Sequence, residues 1–428
     1  MADQERNILS TPFVLNGRTL ANRMVMGPMA ANSPREDGGP SEQTIAFFEA
    51  RAKGGVGMII VGGMVGAARG VAECPVASVL QMQDPKHVAD FRRMTDAVHR
   101  YDVPIVAEIM PGFGVMGVPA ADRPNISASA RSVTIPEKEF PRGFIVPGGR
   151  TTPMAVEATI EQIRAYEQEL IETAVLTVES GFDGVEVAAH MSYFLSSFLS
   201  ARTNWRTDEY GGSAENRARM LVNIVAGIRA RVPADFIVGL RITANDYMPD
   251  GQGARGFAEI AKLVEAAGLD YVALSCGCYE AMKASAPSVD GDLVDSGDAR
   301  IFKDLLSVPV LIQGIHDPER AGKAVAEGHG DLVMLARPML ADPDYARKVC
   351  ENRPEDIAKC VRDNLCMRRM VFGMPVRCEV NPDMGREARK GLPPVNRMLK
   401  APIEKAVLGL TGSPWFMGLV GKVMPKSD

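Results

Sequence analysis

The stretch Pro309–Arg337, PVLIQGIHDPERAGKAVAEGHGDLVMLAR, contains the unit that decides the fold. Two short apolar runs, Pro309–Ile315 and Leu332–Arg337, flank an amphipathic segment that starts at Asp317-Pro318. Short and nearly continuous apolar runs are typical of parallel strands that are covered on both faces. An Asp followed by Pro is a common start of a helix, because the Asp caps it and the Pro fits its first turn. The stretch therefore predicts a strand, a helix and a second strand.

The same alternation extends over most of the chain. The six other predicted strands are Met24–Met29, Met58–Met64, Pro104–Met110, Gly184–Ala188, Ile237–Thr243 and Tyr271–Cys276. The predicted helices are Ser41–Lys53, Pro85–Tyr101, Glu157–Ser180, Ala214–Val232, Gly256–Ala267, Pro318–Glu327 and a last one at Pro338–Glu351. Eight strands alternating with helices predict an α/β fold, a (β/α)8 TIM barrel, with an open doubly wound sheet as the alternative.

Composition and charge exclude several classes of protein. The 428 residues include 48 Lys and Arg against 53 Asp and Glu, a net charge of −5, which argues against nucleic acid as the main partner. The charged start, Met1–Asn7, lacks an apolar core, so we expect no secretory signal. Seven cysteines form a poor disulfide framework, and four of them fall between Cys350 and Cys378. Metal ligands or free thiols in a cytoplasmic protein are the better interpretation.

The barrel pattern ends before the chain does. We predict a barrel domain over residues 1–345, a short cysteine-bearing extension over 346–390 and a tail over 391–428. The apolar stretch Ala406–Val420 of the tail is interrupted by Ser413-Pro414 and is too short to span a membrane. We expect it to dock on the barrel or on a neighbouring subunit, with attachment to a membrane surface as the alternative.

Familiar catalytic motifs for other chemistries are absent from the sequence. There is no phosphate-binding loop with Lys and Ser or Thr, no zinc-protease helix and no serine nucleophile elbow. The string Gly251–Gly256, GQGARG, begins well after the fifth strand, so we interpret it as a loop rather than a dinucleotide fingerprint. The long insertion Pro111–Met154 follows the third strand and is either a lid or inert decoration.

Charged residues at strand ends and inside strands indicate a ligand site. Glu108 and Arg241 interrupt apolar strands, and they could either pair with each other or bind the polar edge of a planar ring. Gly314 and Arg337 end the seventh and eighth strands, where barrels commonly bind phosphate.

Four motifs carry a resemblance to a known family. They are Asn204–Arg217 (NWRTDEYGGSAENR), Asn22–Ala30 (NRMVMGPMA), Val238–Arg241 (VGLR) and Asp331–Pro343 (DLVMLARPMLADP). Together they resemble the Old Yellow Enzyme superfamily of FMN-dependent NAD(P)H:flavin oxidoreductases, in the branch of 2,4-dienoyl-CoA reductase and trimethylamine dehydrogenase. The resemblance covers roughly Leu9 to Glu387.

The resemblance implies an FMN site on the barrel. Pro28, Met29 and Ala30 would line the reactive N5 edge of the flavin. Glu108 would face its pyrimidine ring, and Arg241 would face its N1–C2 region. The phosphate would be held by Gly314, Ala336 and Arg337, with Ala336 in place of the more usual Gly.

The resemblance also implies a proton donor, and two positions near it differ from the residues that the family usually has. Tyr193 matches the tyrosine that protonates the substrate carbon, a role that suits a phenol with an ordinary pKa of about 10; a packing tyrosine is the alternative. The two positions that usually bind the substrate carbonyl are Ala188 and Met191 here. A one-residue shift would bring in His190, and Tyr279 could supply a replacement donor.

The cysteine-bearing segment resembles an iron–sulfur segment that lacks one thiol. Cys360, Cys366 and Cys378 keep the spacing, and Asp363 occupies the second ligand position. Three outcomes are open: a [4Fe–4S] cluster with an Asp ligand or a [3Fe–4S] cluster, a lost site whose cysteines only pack, or another metal.

The function that these features imply is that of an FMN-dependent oxidoreductase. NAD(P)H would reduce FMN, which would deliver hydride to an activated alkene while Tyr193 donates the proton. The alternatives are an amine dehydrogenase that passes electrons to a partner protein, a non-catalytic electron-transfer subunit and a flavin-free phosphate-binding barrel. We expect a small-molecule substrate and a homo-oligomer. Because the sequence stops at Asp428 without a Rossmann unit, we expect either direct reduction by NAD(P)H or an electron-transfer partner.

Overall fold

The computed structural model describes residues 7–31, 33–75, 79–136, 151–285, 292–371 and 373–389, together with Ala406 and Leu410. Its strands are β1 Phe13–Leu15, β2 Arg18–Leu20, β3 Met24–Met26, β4 Met58–Val65, β5 Leu80–Gln81, β6 Ile105–Met110, β7 Ile126–Ser127, β8 Val156–Glu157, β9 Gly184–Ala189, β10 Ile237–Thr243, β11 Tyr271–Ser275, β12 Val310–Gln313 and β13 Leu332–Leu335. Eight of them close into a parallel barrel in the order β3-β4-β6-β9-β10-β11-β12-β13, with β13 beside β3 again. The prediction of a (β/α)8 barrel is confirmed.

Helices surround the barrel strands. They are α1 Glu42–Lys53, α2 Ala68–Ala72, α3 Val88–His99, α4 Ile160–Glu179, α5 Ala214–Arg229, α6 Ala254–Glu265, α7 Met282–Ser285, α8 Asp292–Asp295, α9 Asp298–Leu305, α10 Pro318–Ala326, α11 Arg337–Ala341, α12 Tyr345–Cys350 and α13 Leu365–Val371. The single helix predicted at Pro338–Glu351 is wrong, because α11 and α12 are separate. Asp342 between them is extended, which is the conformation that the following Pro343 favours.

Three barrel strands end earlier than the apolar pattern predicts. β3 stops at Met26, β12 at Gln313 and β13 at Leu335, whereas the apolar runs continue for two or three more residues. Gly314, for example, has φ = 91°, a left-handed conformation that ends β12. The residues past these strand ends turn across the carboxyl end of the barrel, where barrel enzymes build their sites.

The opposite end of the barrel is covered by the β1–β2 hairpin. Leu15 and Leu20 of this hairpin pack in one apolar cluster with interior residues such as Val25 and Ile237. Asn16 donates from Nδ2 to the backbone oxygen of Phe236, just before β10. Within the described residues, the hairpin therefore covers this end of the barrel, which leaves the carboxyl end as the side from which a ligand would enter.

The cysteine-bearing extension is packed on the barrel. Arg51 of α1 is fully buried and pairs with Glu387 at 2.6 Å, and the backbone N–H of Val376 donates to Ala31 at 3.2 Å. Apart from Ala406 and Leu410, the tail over 391–428 lies outside the described residues, as do residues 137–150 of the long insertion. Within the described part of the chain, every helix is too short or too polar to cross a membrane.

Candidate functional site

An ion pair lies inside the barrel below its carboxyl end. Glu108 of β6 and Arg241 of β10 are joined by an Oε2–Nη1 distance of 3.2 Å, with Glu108 buried and Arg241 mostly buried. Arg241 also donates from Nη2 to Oε1 of Gln313 on β12, at 3.3 Å. Its buried Nε has no hydrogen-bond partner among the described residues. Of the two roles that the sequence left open, pairing is realised, yet one donor stays available to a ligand.

The segment after β3 forms one side of this end of the barrel. It carries Pro28, which is buried, and the half-buried Met29 and Ala30. A Cβ on Gly62 would lie 2.2 Å from Cβ of Pro28, so only glycine lets the two strand ends approach so closely. Met29 and Ala30 line a small opening, together with apolar residues such as Leu80.

The ends of β12 and β13 bring together the residues predicted to bind phosphate. Gly314 and Ala336 are half-buried, and Ala336 immediately precedes α11. Arg337 donates from Nη1 to Oδ1 of Asn364 in the extension, at 3.0 Å. The residues predicted to bind phosphate are therefore in direct contact with the cysteine-bearing segment.

These residues fit an FMN molecule. Glu108, Arg241 and Gln313 offer acceptors and donors in a row, as the polar edge of an isoalloxazine ring requires, and the unpartnered Nε of Arg241 is one such donor. Gly314 and Arg337 could hold the phosphate. The donors and acceptors present at the carboxyl end thus match the polar groups of FMN in chemical type.

Four aromatic side chains form what we call the mouth pocket: Phe113, His190, Tyr193 and Tyr279. The hydroxyl oxygens of Tyr193 and Tyr279 are 2.9 Å apart. The ring of Tyr193 makes edge contacts with Phe113 at 5.8 Å and with His190 at 5.7 Å between centroids. The structure thus brings together all three predicted catalytic residues.

Burial sets the protonation states in the mouth pocket. It raises the pKa of Tyr193, which the hydrogen bond from Tyr279 only partly offsets. Burial and then the positive charge of Arg241 hold the pKa of His190 well below its usual range. At neutral pH the pocket therefore contains two phenols and a neutral imidazole, which can act as donors of a proton or a hydrogen bond.

Neither Ala188 nor Met191 takes the place of the usual carbonyl-binding side chains. Ala188 is buried in the wall of the barrel. Met191 has φ = 60°, and its sulfur accepts a hydrogen bond from the Ser285 hydroxyl at 2.9 Å. His190 stands beside Tyr193, and its role as a carbonyl-binding residue stays a prediction.

The cysteine-bearing segment does not fit a metal cluster in this arrangement. Over the described residues, no three His, Cys, Asp or Glu side chains are grouped to hold a metal ion. Burial raises the pKa of Cys366 to about 11, and it also raises that of Cys360. Asp363 accepts a hydrogen bond from the backbone of Leu365 at 3.2 Å. The cluster stays a prediction, and no chemical step is derived through it.

Several residues around the site were missed in the sequence. Glu186 of β9 lies inside the barrel next to Glu108, and it could have been found because it too interrupts an apolar strand. Phe113 has no such signal. Its backbone N–H donates to the buried Glu73 at 2.7 Å, a contact between distant parts of the chain that no local pattern predicts.

The ion pair and the phenol pair lie toward the carboxyl end of a closed parallel barrel, where enzymes of this fold build their active sites. The chain belongs to the NADH:flavin oxidoreductase / NADH oxidase family, which matches residues 9–356. The predicted membership of the FMN-dependent Old Yellow Enzyme group is thereby confirmed.

Relatives with known names support this membership. The chain is 33% identical to an NADH oxidase of Thermoanaerobacter brockii, over 92% of this chain and 58% of the relative. It is 30% identical to a cinnamate reductase of Clostridium sporogenes, over 94% of this chain and 61% of the relative. Among solved structures, a 2-naphthoyl-CoA reductase complex has a TM-score of 0.80 at 29% identity, covering 90% of this chain and 58% of that one. The chain therefore spans about 60% of the length of these relatives.

Proposed function

We propose that this chain uses NAD(P)H and FMN to reduce an activated alkene, with Tyr193 as the proton donor. The observation that carries the proposal is the 2.9 Å hydrogen bond between the hydroxyls of Tyr193 and Tyr279. It orients a protonated phenol in a pocket next to the ion pair of Glu108 and Arg241. Similarity to a cinnamate reductase supports an alkene conjugated to a carboxyl or carbonyl group as the substrate class.

Bound FMN would supply the hydride transfer, first from the nicotinamide and then to the alkene. Reduction of the double bond takes one hydride and one proton. Tyr193 holds that proton on its hydroxyl oxygen and releases it to the α-carbon, and Tyr279 keeps the hydroxyl oriented through the shared hydrogen bond. The neutral His190 can donate a hydrogen bond to the substrate carbonyl, which offsets the loss of the usual donors at Ala188 and Met191.

The proposal is tested by anaerobic mixing of the FMN-loaded protein. We expect NADH or NADPH to bleach the flavin absorption band, and a cinnamate-type enone or enoate to restore it. Protein that takes up no FMN would contradict the proposal. Bleaching by a methylated amine, with no response to NAD(P)H, would favour the amine dehydrogenase alternative instead.

A further inference from the structure

A row of inward-facing residues crosses four neighbouring strands of the barrel. Glu108 of β6 pairs in register with Glu186 of β9, Glu186 with Gly239 of β10, and Gly239 with Tyr271 of β11. A Cβ on Gly239 would lie 2.2 Å from Cζ of Tyr271. The Tyr271 ring therefore occupies the space above this glycine, on the side where Glu186 lies. We call Glu108, Glu186, Arg241 and Tyr271 the interior cluster.

Glu186 is the fully buried carboxyl of this cluster. It is 0% exposed, and although Tyr271 and Glu108 interact with its carboxyl, neither oxygen has a hydrogen bond of standard geometry among the described residues. The charged or titratable groups that face it are Glu108 from β6, Arg241 from β10 and Tyr271 from β11. The rest of the described wall is apolar, with Val25, Met58, Ile60, Val106, Ile237, Ala273, Leu311, Leu332 and Met334.

One positive charge faces two carboxyls in this interior. Arg241 is joined to Glu108, and among the described residues no hydrogen bond joins it to Glu186. An ionised carboxylate without partners in an apolar interior is costly, and two adjacent carboxylates disfavour each other's ionisation. Glu186 is therefore the carboxyl that keeps its proton.

The effects on the pKa of Glu186 agree with a carboxyl that keeps its proton. Burial and then the negative charge of Glu108 raise the pKa of Glu186 well above its ordinary value, and Arg241 and Tyr271 offset only part of this. Burial also raises the pKa of Tyr271, so its phenol keeps its own proton. The cluster at neutral pH then holds one ion pair and two uncharged acids.

We propose that Glu186 is a proton site coupled to the redox state of FMN, a positioning residue that acts through the Glu108–Arg241 pair. The inference rests on the FMN site of the proposed function, in which Arg241 faces the part of the flavin that becomes negative on reduction. Negative charge added there raises the proton affinity of the interior cluster. Where alkaline pH has ionised Glu186 in the oxidised protein, bound FMN would take two electrons and one proton on reduction, and the Glu186 carboxylate would take one further proton from water to become a carboxylic acid.

The test is the midpoint potential of the FMN-loaded protein as a function of pH, poised with dithionite and redox dyes. One proton per two electrons lowers the potential by about 30 mV per pH unit, and two protons lower it by about 59 mV. We expect the wild-type protein to change from the first slope to the second as the pH rises. Glu186→Gln should keep the first slope throughout, and the exposed control Glu355→Gln should behave as wild type.

Equal slopes in the wild-type protein and Glu186→Gln at every pH would overturn the inference while leaving the proposed function intact. Protein that binds no FMN would overturn both. If Glu186→Gln does not fold, the wild-type protein gives the answer by infrared difference spectroscopy at alkaline pH. Reduction should produce the C=O band of a newly protonated carboxylic acid, and the absence of that band overturns the inference.

Discussion

The mouth pocket and the interior cluster both contain a pair of weak acids, yet the two pairs differ in how they are satisfied. The phenols of Tyr193 and Tyr279 share a 2.9 Å hydrogen bond and open toward the carboxyl end of the barrel. The carboxyl of Glu186 has no hydrogen bond of standard geometry among the described residues and lies beside the Glu108–Arg241 ion pair. A proton at the mouth can therefore leave for a substrate, whereas the interior proton responds to charge. The predictions below separate these two behaviours.

The largest effect is expected for Tyr193→Phe. Removing the proton donor should slow reoxidation of reduced flavin by the alkene about 10²–10⁴-fold, the usual contribution of a general acid. Reduction of the flavin by NAD(P)H should not change, since no proton from Tyr193 is needed there. Stopped-flow measurement of the two half-reactions checks this. Tyr279→Phe serves as the comparison, and its rate of flavin reoxidation should fall less than that of Tyr193→Phe. Equal losses in both half-reactions would indicate a structural role.

The second effect concerns the ion pair of the interior cluster. Arg241→Met leaves Glu108 buried without its partner and next to Glu186, which should lower the free energy of unfolding by about 3–5 kcal/mol. The double variant Arg241→Met with Glu108→Gln removes the uncompensated charge and should regain part of this loss. Denaturant unfolding of the FMN-free proteins measures both. A double variant no more stable than Arg241→Met would contradict the assigned charges.

The third effect is a pH dependence of stability due to Glu186. Its pKa is raised in the folded protein, so above the ordinary glutamate pKa of about 4.3 the folded state binds a proton that the unfolded state releases. Stability from this group then falls with rising pH, by about 1.4 kcal/mol per pH unit, until the folded carboxyl ionises. Relative to wild type, Glu186→Gln should gain stability as the pH rises from 5 toward 8. Denaturant unfolding across this range checks it, and Glu355→Gln should show no such gain.

The strands of the barrel could be predicted from the sequence, whereas much of the mouth pocket and of the interior cluster could not. The barrel follows from local patterns, because the buried parallel strands are mostly apolar, and some, such as Leu332–Leu335, are apolar along their whole length. Glu108 and Arg241 were found because a charge in such a strand is conspicuous.

The remainder of the site depends on contacts across the barrel. That Tyr271 lies over Gly239, or that Glu73 holds the backbone of Phe113, is decided by register and loop packing between segments far apart in the chain. The end of β12 at Gln313 likewise depends on the conformation of Gly314 rather than on apolar character. Such features need the three-dimensional arrangement, whereas the positions of strands do not.

The smallest effect concerns the aromatic contact that supports the mouth pocket. Phe113 meets Tyr193 edge to face at 5.8 Å, an arrangement that contributes about 0.5–1.5 kcal/mol beyond burial. A double-mutant cycle with Phe113→Leu and Tyr193→Leu, followed by denaturant unfolding, should give a coupling energy in this range. Both rings are uncharged at pH 5 and at pH 8, so the coupling should be the same at both values. A coupling that changes with pH would mean that the interior cluster reaches the mouth pocket, and the two regions could no longer be treated as separate proton sites.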